Sequence, residues 1–224
     1  MILIQDHINK LKKSERIERK VLGHKGSYLY LKEILYSQEF SSFYKKRNIS
    51  SLYFDSKDLD FVRDNINGVS ERIKIRIRFY NDENLFNLEY KFKKNFLGYK
   101  KVIRLKSKNL NSAIHESQKI IRKNFLVNLY PSCLITYTRE YFIKNNIRAT
   151  LDKKIYYSII YNHHKKKIFN STNQKMIQMP YDILEYKYSE DRDAIFREKI
   201  FTIPSNFYAR NMKSSKYVHA FMFT

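Results

Sequence analysis

At 224 residues, 43% of them hydrophobic and 16% aromatic, the chain is not expected to be disordered and suits one domain, residues 1–224, with a sizeable core. Its 44 Lys and Arg residues outnumber its 22 Asp and Glu residues, and the net charge of +22 predicts a polyanionic partner: nucleic acid, an anionic membrane surface or a phosphate-rich small molecule. The single cysteine, Cys133, excludes a disulfide framework and a cysteine-based metal cluster.

The elements of the first half alternate between strands and helices. We predict strands at 17–23 and 50–56, a helix from Ser27 to about Lys46 with Ser27 as its cap, and a short helix over 58–65. The segment Met1 to Ile8 is too short and polar for a signal peptide, and the apolar runs fall well below the ~20 residues of a membrane span. A soluble, cytoplasmic protein is therefore expected.

The remaining elements are mostly strands. Residues 71–80 and 85–94 predict a hairpin joined through 81–84, and a further strand follows at 99–106. The amphipathic pattern over 110–125 predicts a helix. Three more strands (134–143, 147–159 and 183–189) and a helix over 191–200 complete an antiparallel, strand-rich α+β domain with helices packed on the outside.

The strand ERIKIRIRFY (71–80) has an unusual charge pattern. Its apolar residues, Ile73, Ile75, Ile77 and Phe79, alternate with four cations, Arg72, Lys74, Arg76 and Arg78. Side chains two residues apart on a strand face are roughly 7 Å from one another, so each neighbouring pair of cations repels by about 0.6 kcal/mol in water. Such a face is either solvated or built for a strongly anionic ligand.

The same period-2 analysis places charges on one face of the other strands. The aligned sets are Glu18 with Lys20, Glu89 with Lys91 and Lys93, Tyr137 with Arg139, Arg148 with Thr150, Asp152 and Lys154, and Glu185 with Lys187. A closed sheet with this face inward forms a cationic tunnel, whereas the inverse arrangement has an apolar interior and a charged exterior. Glutamates within the basic stripes favour the tunnel, because metal-bound phosphates need both residue types.

These segments together resemble a known family, the triphosphate tunnel metalloenzymes (CYTH-like superfamily), and within it the polyphosphate polymerase domain of vacuolar transporter chaperone (VTC) proteins. The segments that carry the resemblance, in order, are RIERK (16–20), SLYFDS (51–56), ERIKIRIRFY (71–80), NLEYK (87–91), TYTREYF (136–142), RATLD (148–152), ILEYKY (183–188) and KSSKY (213–217). Each is weakly specific alone, but eight in the family's order cover nearly the whole chain.

The resemblance implies a closed, eight-stranded antiparallel β-barrel whose lumen binds a triphosphate and a divalent cation, Mn²⁺ or Mg²⁺. It implies a polymerase that transfers the γ-phosphate of ATP onto inorganic polyphosphate. The residues expected to carry the transfer are Arg76, Arg78, Arg139, Lys20 and Lys91. Further phosphate contacts are expected from Lys100, Arg104, Tyr137, Lys187, Lys213, Ser215 and Lys216, and the metal ligand is expected to be Glu185. The period-2 pattern pairs Lys100 with Arg104 and leaves Lys101 outside.

Two departures qualify the resemblance. Many tunnel enzymes begin with Glu-x-Glu-x-Lys, but this chain has Arg16, Glu18 and Lys20, which favours the VTC branch over the triphosphatases. The eukaryotic VTC proteins also carry phosphate-sensing and membrane domains that this sequence lacks. Coupling of synthesis to transport is therefore expected either to be absent or to be supplied by a partner, for which a membrane protein that exports the product is the candidate.

Other functions remain open at this stage. An inorganic triphosphatase or tripolyphosphatase differs only in using water as acceptor, and a non-catalytic polyphosphate or nucleotide binder uses the same residues. A nucleic-acid-binding module suits the charge and the aromatic residues, but the chain has no motif of the common modules. Among other candidates, His163 and His164 read as a solvated loop, His219 as a packed histidine, and Asp152 as an ion-pair partner of Arg148.

Overall fold

The computed structural model of the chain describes residues 13–14, 16–80, 83–94, 97–160, 175–189, 191, 193, 210–211 and 214–222. Its strands are β1 (Lys13–Ser14), β2 (Arg16–His24), β3 (Ser41–Asp55), β4 (Glu71–Tyr80), β5 (Glu83–Lys94), β6 (Leu97–Arg104), β7 (Tyr130–Lys144), β8 (Ile147–Ile159), β9 (Ile177–Gln178), β10 (Tyr181–Ser189) and β11 (Arg210–Asn211). Its helices are α1 (Tyr28–Ser37), α2 (Asp60–Ile66), α3 (Leu110–Phe125) and α4 (Lys216–Met222).

All the strands of this described part join one antiparallel sheet. Their order is β1-β6-β5-β4-β3-β7-β8-β10-β2-β11, with β9 paired to β8. Of these eleven strands, β1, β9 and β11 have two residues each, and the other eight have eight or more. Only Glu15 separates β1 from β2, yet β1 pairs with β6 and β2 pairs with β10, near the two ends of the order. The predicted α+β class with a large antiparallel sheet is confirmed.

The outer face of the sheet is covered by α1 and α3. Ile75 and Ile77 of β4 are fully buried in a cluster that includes Ala113 and Ile121 of α3. A second cluster packs Leu31 and Leu35 of α1 against strands β2, β8 and β10. A Cβ atom added at Gly23 would lie 2.1 Å from Ser27 Oγ, so the entry to α1 requires glycine there. The alternation read in ERIKIRIRFY thus comes from one face packing under a helix.

The opposite face, called here the inner face, is divided into two halves. One half is apolar: Ile135 and Ile155 pack with Tyr217 and Ala220 of α4. The other half carries the charged residues of the same strands. The helix α4 was not predicted, and it packs on the inner face rather than outside, because its apolar residues complete this third cluster.

Two sequence predictions about elements were wrong. The helix predicted to run from Ser27 to about Lys46 ends at Ser37, and residues from Ser41 onward belong to β3, which pairs with β7. In β8, Asp152 and Lys154 do not share a face. A β-bulge inserts one residue opposite Thr136–Thr138, and Lys154 takes a positive φ of 50°, so that Ile155 points inward instead.

Other predictions concern termini and spans. Helix α1 follows Ser27 as predicted, but Ser27 makes no capping side-chain bond; Asp182 Oδ2 instead accepts from Gly26 N and Tyr28 N, both at 3.1 Å.

Cys133 is buried, and burial raises the pKa of its thiol. The helix predicted over 191–200 lies almost wholly outside the described residues. None of the described helices is long and apolar enough to cross a membrane.

Candidate functional site

Strand register brings the charged positions of the inner face together. Across β3, β4 and β5, Tyr53 pairs with Arg76 and Arg76 pairs with Glu89. Two residues further along these strands, on the same face, Ser51 pairs with Arg78. Because residues paired across strands point to the same side, the cations of β4 face the interior with the tyrosine of β3.

Glu89 is the centre of the first cluster. Arg76 donates to Glu89 Oε2 from Nε at 2.8 Å and pairs with it through NH2 at 2.7 Å, and Lys100 Nζ lies 2.7 Å from Oε1. Arg78 NH1 lies 3.8 Å from the same carboxylate, and Arg76 also donates to Tyr53 OH at 2.9 Å. Burial alone would raise the pKa of Glu89, but the charges of Arg76, Arg78 and Lys100 bring it well below its usual range. Glu89 therefore stays ionised.

Asp152 is the centre of the second cluster. It is fully buried and holds Arg139 through Nε at 2.5 Å and NH2 at 2.7 Å, and it also pairs with Lys216 Nζ at 2.5 Å. Its expected partner, Arg148, is exposed, so that pairing prediction was wrong. The reason is register: Asp152 lies directly opposite Arg139 on β7.

Tyr137 links the two clusters. Arg78 NH2 donates to Tyr137 OH at 3.2 Å, and the ring lies 5.3 Å from Arg139 Cζ and 4.7 Å from Lys216 Nζ. Burial acts to raise the pKa of this phenol, but the charges of Arg78 and Arg139 lower it overall. A phenol with a lowered pKa is a stronger hydrogen-bond donor toward an anion.

The third cluster is formed by Glu18, Glu185 and the lysines between them. Lys187 Nζ lies 2.9 Å from Glu185 and 3.3 Å from Glu18, while Lys20 Nζ lies 4.0 Å from Glu185. Burial would raise the pKa of Glu18, but the charge of Lys91 is the main effect that lowers it to about 2. Both carboxylates are therefore ionised and close enough to influence each other.

Lys91 of β5 pairs with Glu18 of β2 at 3.0 Å. These strands are far apart in the order of the sheet, so the sheet must curve strongly to bring them into contact. The third cluster therefore faces the first across the interior, and all three clusters belong to one site.

The C-terminal segment also enters this site. Lys20 donates to the Ser214 carbonyl at 2.8 Å, and Lys74 donates to Ser215 Oγ at 2.6 Å. Of the three predicted residues of KSSKY, Ser215 and Lys216 therefore lie among the inner-face cations, and Lys213 lies outside the described residues.

The remaining predicted residues are more peripheral. Arg104 is exposed at the end of β6, in register with Asn87 and one strand further from Arg78. Lys101 is exposed, and it is Lys100 that contacts Glu89, as the period-2 pattern indicated. His219 contacts Tyr181 OH through Nδ1 and packs against its ring. His163 and His164 are outside the described residues.

Sequence reasoning left one central cation unassigned. Lys74 belongs to the same stripe as Arg76 and Arg78, and burial together with the charges of Lys20 and Lys91 places its pKa well below the usual range. The period-2 pattern pointed to Lys74, but the motif comparison did not. The period-2 pattern placed Glu89 and Asp152 on charged strand faces, but their role as shared counter-ions depends on how the strands pair.

The site combines a positive surplus with unsatisfied donors. Among the described residues, nine cations face it, namely Lys20, Lys74, Arg76, Arg78, Lys91, Lys100, Arg139, Lys187 and Lys216, against four carboxylates, namely Glu18, Glu89, Asp152 and Glu185. Ser51 Oγ, Arg78 Nε and Thr150 Oγ1 are buried and make no hydrogen bond within the described part of the protein. An anion rich in oxygen atoms meets both conditions.

A divalent cation fits the site only in part. The described residues contain no group of three or more His, Cys, Asp or Glu side chains suited to hold a metal ion. Glu18 and Glu185 nevertheless form an ionised pair. Mg²⁺ is commonly held by one or two carboxylates plus substrate phosphates, so this pair suits a metal that arrives with a phosphorylated ligand.

Comparisons with known proteins agree with this geometry. No curated protein matches the chain significantly. Among solved structures, a protein from Pyrococcus horikoshii OT3 has a TM-score of 0.52 at 13% identity, covering 93% of this chain and 100% of that one. A putative adenylate cyclase from Bacillus halodurans has a TM-score of 0.51 at 17% identity, covering 88% and 96%.

A putative adenylyl cyclase from Hippeastrum, described as having a dominant triphosphatase activity, has a TM-score of 0.50 at 13% identity, covering 93% of this chain and 96% of that one. At such identities these similarities establish a shared fold. The sequence model of the VTC domain matches residues 15–224, which takes in all the clusters described above. The resemblance seen in the sequence is thus confirmed, and the chain belongs to the VTC domain family.

Proposed function

We propose that the protein is a metal-dependent polyphosphate polymerase that transfers the γ-phosphate of ATP onto inorganic polyphosphate. The observation that carries this proposal is the surplus of cations, most of them half-buried, and of unsatisfied donors around the buried carboxylates of Glu89 and Asp152. A triphosphate brings about four negative charges at neutral pH, close to the positive surplus of the site. Membership of the VTC domain family favours polyphosphate as the acceptor.

The proposal includes closure of the sheet into a barrel around the substrate. The contact between Lys91 and Glu18 joins β5 to β2, and β1 continues almost directly into β2 while pairing with β6. Eight long strands match the number in small closed barrels. In such a barrel the cations reach the phosphates from several sides and exclude most of the water.

In the proposed reaction, a terminal phosphate oxygen of the acceptor attacks the γ-phosphorus of ATP. The bond between that phosphorus and the β,γ-bridging oxygen breaks, and ADP leaves with the bond's electron pair. The transition state spreads charge over the transferred oxygens, so positioned cations supply most of the catalysis. We assign this role to Arg76, Arg78, Arg139, Lys20 and Lys91.

The other candidates would bind the phosphates that do not react. Tyr137, whose hydroxyl accepts from Arg78 and whose ring lies beside Arg139, would donate its proton to a phosphate oxygen. Further contacts around it would come from Lys100, Lys187, Ser215 and Lys216. Arg104 and Lys213 are assigned to the same chain of phosphates by the family pattern. Arginine suits bidentate contacts with phosphate oxygens, whereas lysine adds point charge.

Glu185, assisted by Glu18, would hold Mn²⁺ or Mg²⁺ together with substrate phosphates. The bound cation would neutralise charge that develops on the leaving group. Lys187 bridges the two carboxylates, and its charge is among those that lower the pKa of both.

A triphosphatase is the second candidate, favoured by the activity described for the Hippeastrum relative. It would use the same phosphate contacts and differ in admitting water to the γ-phosphorus. Export of a polymer product by a membrane-protein partner is also part of the proposal.

The test is to incubate the protein with ATP and Mn²⁺ and to resolve the products by phosphate chain length. A ladder of long chains together with ADP, lost in Arg76→Ala and Glu185→Ala, is the expected result. Free phosphate as the only product would establish the triphosphatase instead. Absence of turnover despite tight triphosphate binding would refute both enzymes and leave a phosphate binder.

A further inference from the structure

An aromatic and cationic cluster lies at the rim of the charged half of the inner face. It is formed by Tyr44, Arg47, Tyr80 and Tyr141. Arg47 Cζ lies 4.4 Å from the centroid of the Tyr44 ring and 5.0 Å from that of Tyr80, and the Tyr44 and Tyr141 rings meet edge to face at 5.8 Å. Tyr44 remains 48% exposed.

Register joins this rim cluster to the phosphate site. Arg47 lies directly opposite Arg139, which Asp152 holds in the interior. Tyr141 follows Arg139 by two residues on the same face, and the charge of Arg139 acts on its phenol. Arg47 and Ser51 are four residues apart on β3, which is about 13 Å at strand rise. Ser51 pairs with Arg78 at the deeper end.

This span corresponds to an extended nucleoside triphosphate, with the γ-phosphate at the deeper arginines and the base at the rim. Tyr44 and Tyr141 also border an open groove of ≈ 700 Å³, which they share with Tyr28 and Lys32 of α1 and with Glu140, on the side of the sheet that α1 covers. Lys45 and Lys46 line this groove and add positive charge beside the rim.

We propose that the Tyr44–Arg47–Tyr80–Tyr141 cluster is a nucleobase platform, which stacks the base of the nucleoside triphosphate whose phosphates occupy the charged half. The inference rests on the proposed function. Aromatic rings and guanidinium planes both stack on bases, and such stacking tolerates any base. The platform therefore favours a nucleoside triphosphate over inorganic triphosphate without strong selection among bases.

The test is to measure binding of ATP and of inorganic tripolyphosphate by calorimetry in Mg²⁺, for the full chain and three variants. Tyr44→Ala is expected to weaken ATP binding about 5- to 30-fold and to leave tripolyphosphate binding unchanged, because only ATP carries a base. Tyr44→Phe retains the ring and should bind ATP like the unaltered protein. Tyr36→Ala is the matched control, since Tyr36 is equally exposed, at 48%, on α1.

The outcomes separate this inference from the proposed function. If Tyr44→Ala weakens both ligands equally, or weakens neither, the platform is refuted while the phosphate site stands. Loss of ATP binding in Tyr36→Ala as well would also refute it, since the effect would not be specific to the rim. If neither ligand binds the unaltered protein, the phosphate site and the platform both fail. Far-ultraviolet circular dichroism confirms that each variant is folded.

Discussion

The two halves of the inner face are built by the same strands but serve opposite purposes. On β7, Ile135 belongs to the apolar half and Arg139 to the charged half; on β10, Ile183 and Lys187 are divided in the same way. Each strand therefore changes from apolar to charged within four residues. The sheet gains stability at one end and holds mutually repelling cations at the other.

The two halves differ in whether the burial of their side chains is energetically favourable. In the apolar half, Tyr217 stacks on Tyr53 with ring centroids 4.4 Å apart, and removal of these surfaces from water is favourable. In the charged half, buried lysines such as Lys74 and Lys20 have lowered pKa values because burial and like charges act against their ionised forms. Ligand-free protein is destabilised there, and a polyanion should stabilise it.

The largest expected effect comes from the charged half. Asp152→Asn leaves Arg139 and Lys216 buried without their shared carboxylate, and removal of one member of a buried ion pair costs about 3–5 kcal/mol. We expect a loss of this size in the free energy of unfolding, measured by urea denaturation. The control is Glu39→Gln, which breaks a pair with Lys144 in which Glu39 is 81% exposed and should leave the free energy of unfolding nearly unchanged. Equal effects would contradict the role of Asp152.

In the apolar half, Ile135→Ala should destabilise the protein by about 2–5 kcal/mol, because Ile135 is fully buried and the variant leaves a cavity. The rise in melting temperature produced by saturating tripolyphosphate should be retained, since no phosphate contact is removed. Loss of that rise would show that the two halves are coupled and not separable in function.

A smaller effect of opposite sign is expected at Lys74. Lys74→Met removes a buried charge surrounded by other cations and should raise the free energy of unfolding of ligand-free protein by about 1 kcal/mol. The same change should weaken tripolyphosphate binding, measured by calorimetry. The control variant Lys101→Met, at an exposed position on β6, should alter neither quantity. A less stable Lys74→Met protein would argue against repulsion in this half.

The smallest expected effect is on the acid dependence of stability. The folded-state pKa of Glu18 is about 2, against 4.5 for an unperturbed glutamate, so its stabilising contribution is complete above pH 4.5 and lost as the pH falls toward 2. Glu18→Gln should flatten the decline of the urea midpoint across this range. Glu71→Gln, at an exposed pair with Lys94, should leave the decline as it is. The same steepness in Glu18→Gln and the unaltered protein would contradict the assigned shift.

Sequence reasoning succeeded where the pattern is local and failed where distant residues decide. The strict alternation of β4 specified both its faces, and the period-2 analysis selected Lys100 over Lys101. The end of α1 was missed because residues 41–47 become a strand only by pairing with β7. The partner of Asp152 was missed for the same reason: its register with Arg139 depends on how β7 and β8 align.

The candidate site shows a similar division. The cations proposed to bind phosphate were identified from the family pattern, and their grouping around Glu89 and Asp152 depends on the fold. Helix α4 is hard to recognise in the sequence, because an amphipathic pattern over only seven residues is a weak signal. Its burial also depends on residues of the apolar half that come from distant strands. The rim cluster around Arg47 involves β-bulges in β3 that no local pattern revealed.

The single extra residue in β8 has a consequence for how this strand can change in length. Before the bulge, the inward side chain is Asp152; after it, the inward side chain is Ile155. Deleting Lys154 would therefore remove the bulge and restore plain alternation, with Ile155 and Tyr157 still facing inward and Tyr156 still facing outward. A one-residue deletion or insertion in the regular part of the strand would instead exchange the two faces of the residues beyond it. The bulge is thus a place where β8 can shorten by one residue while the other side chains keep their present faces.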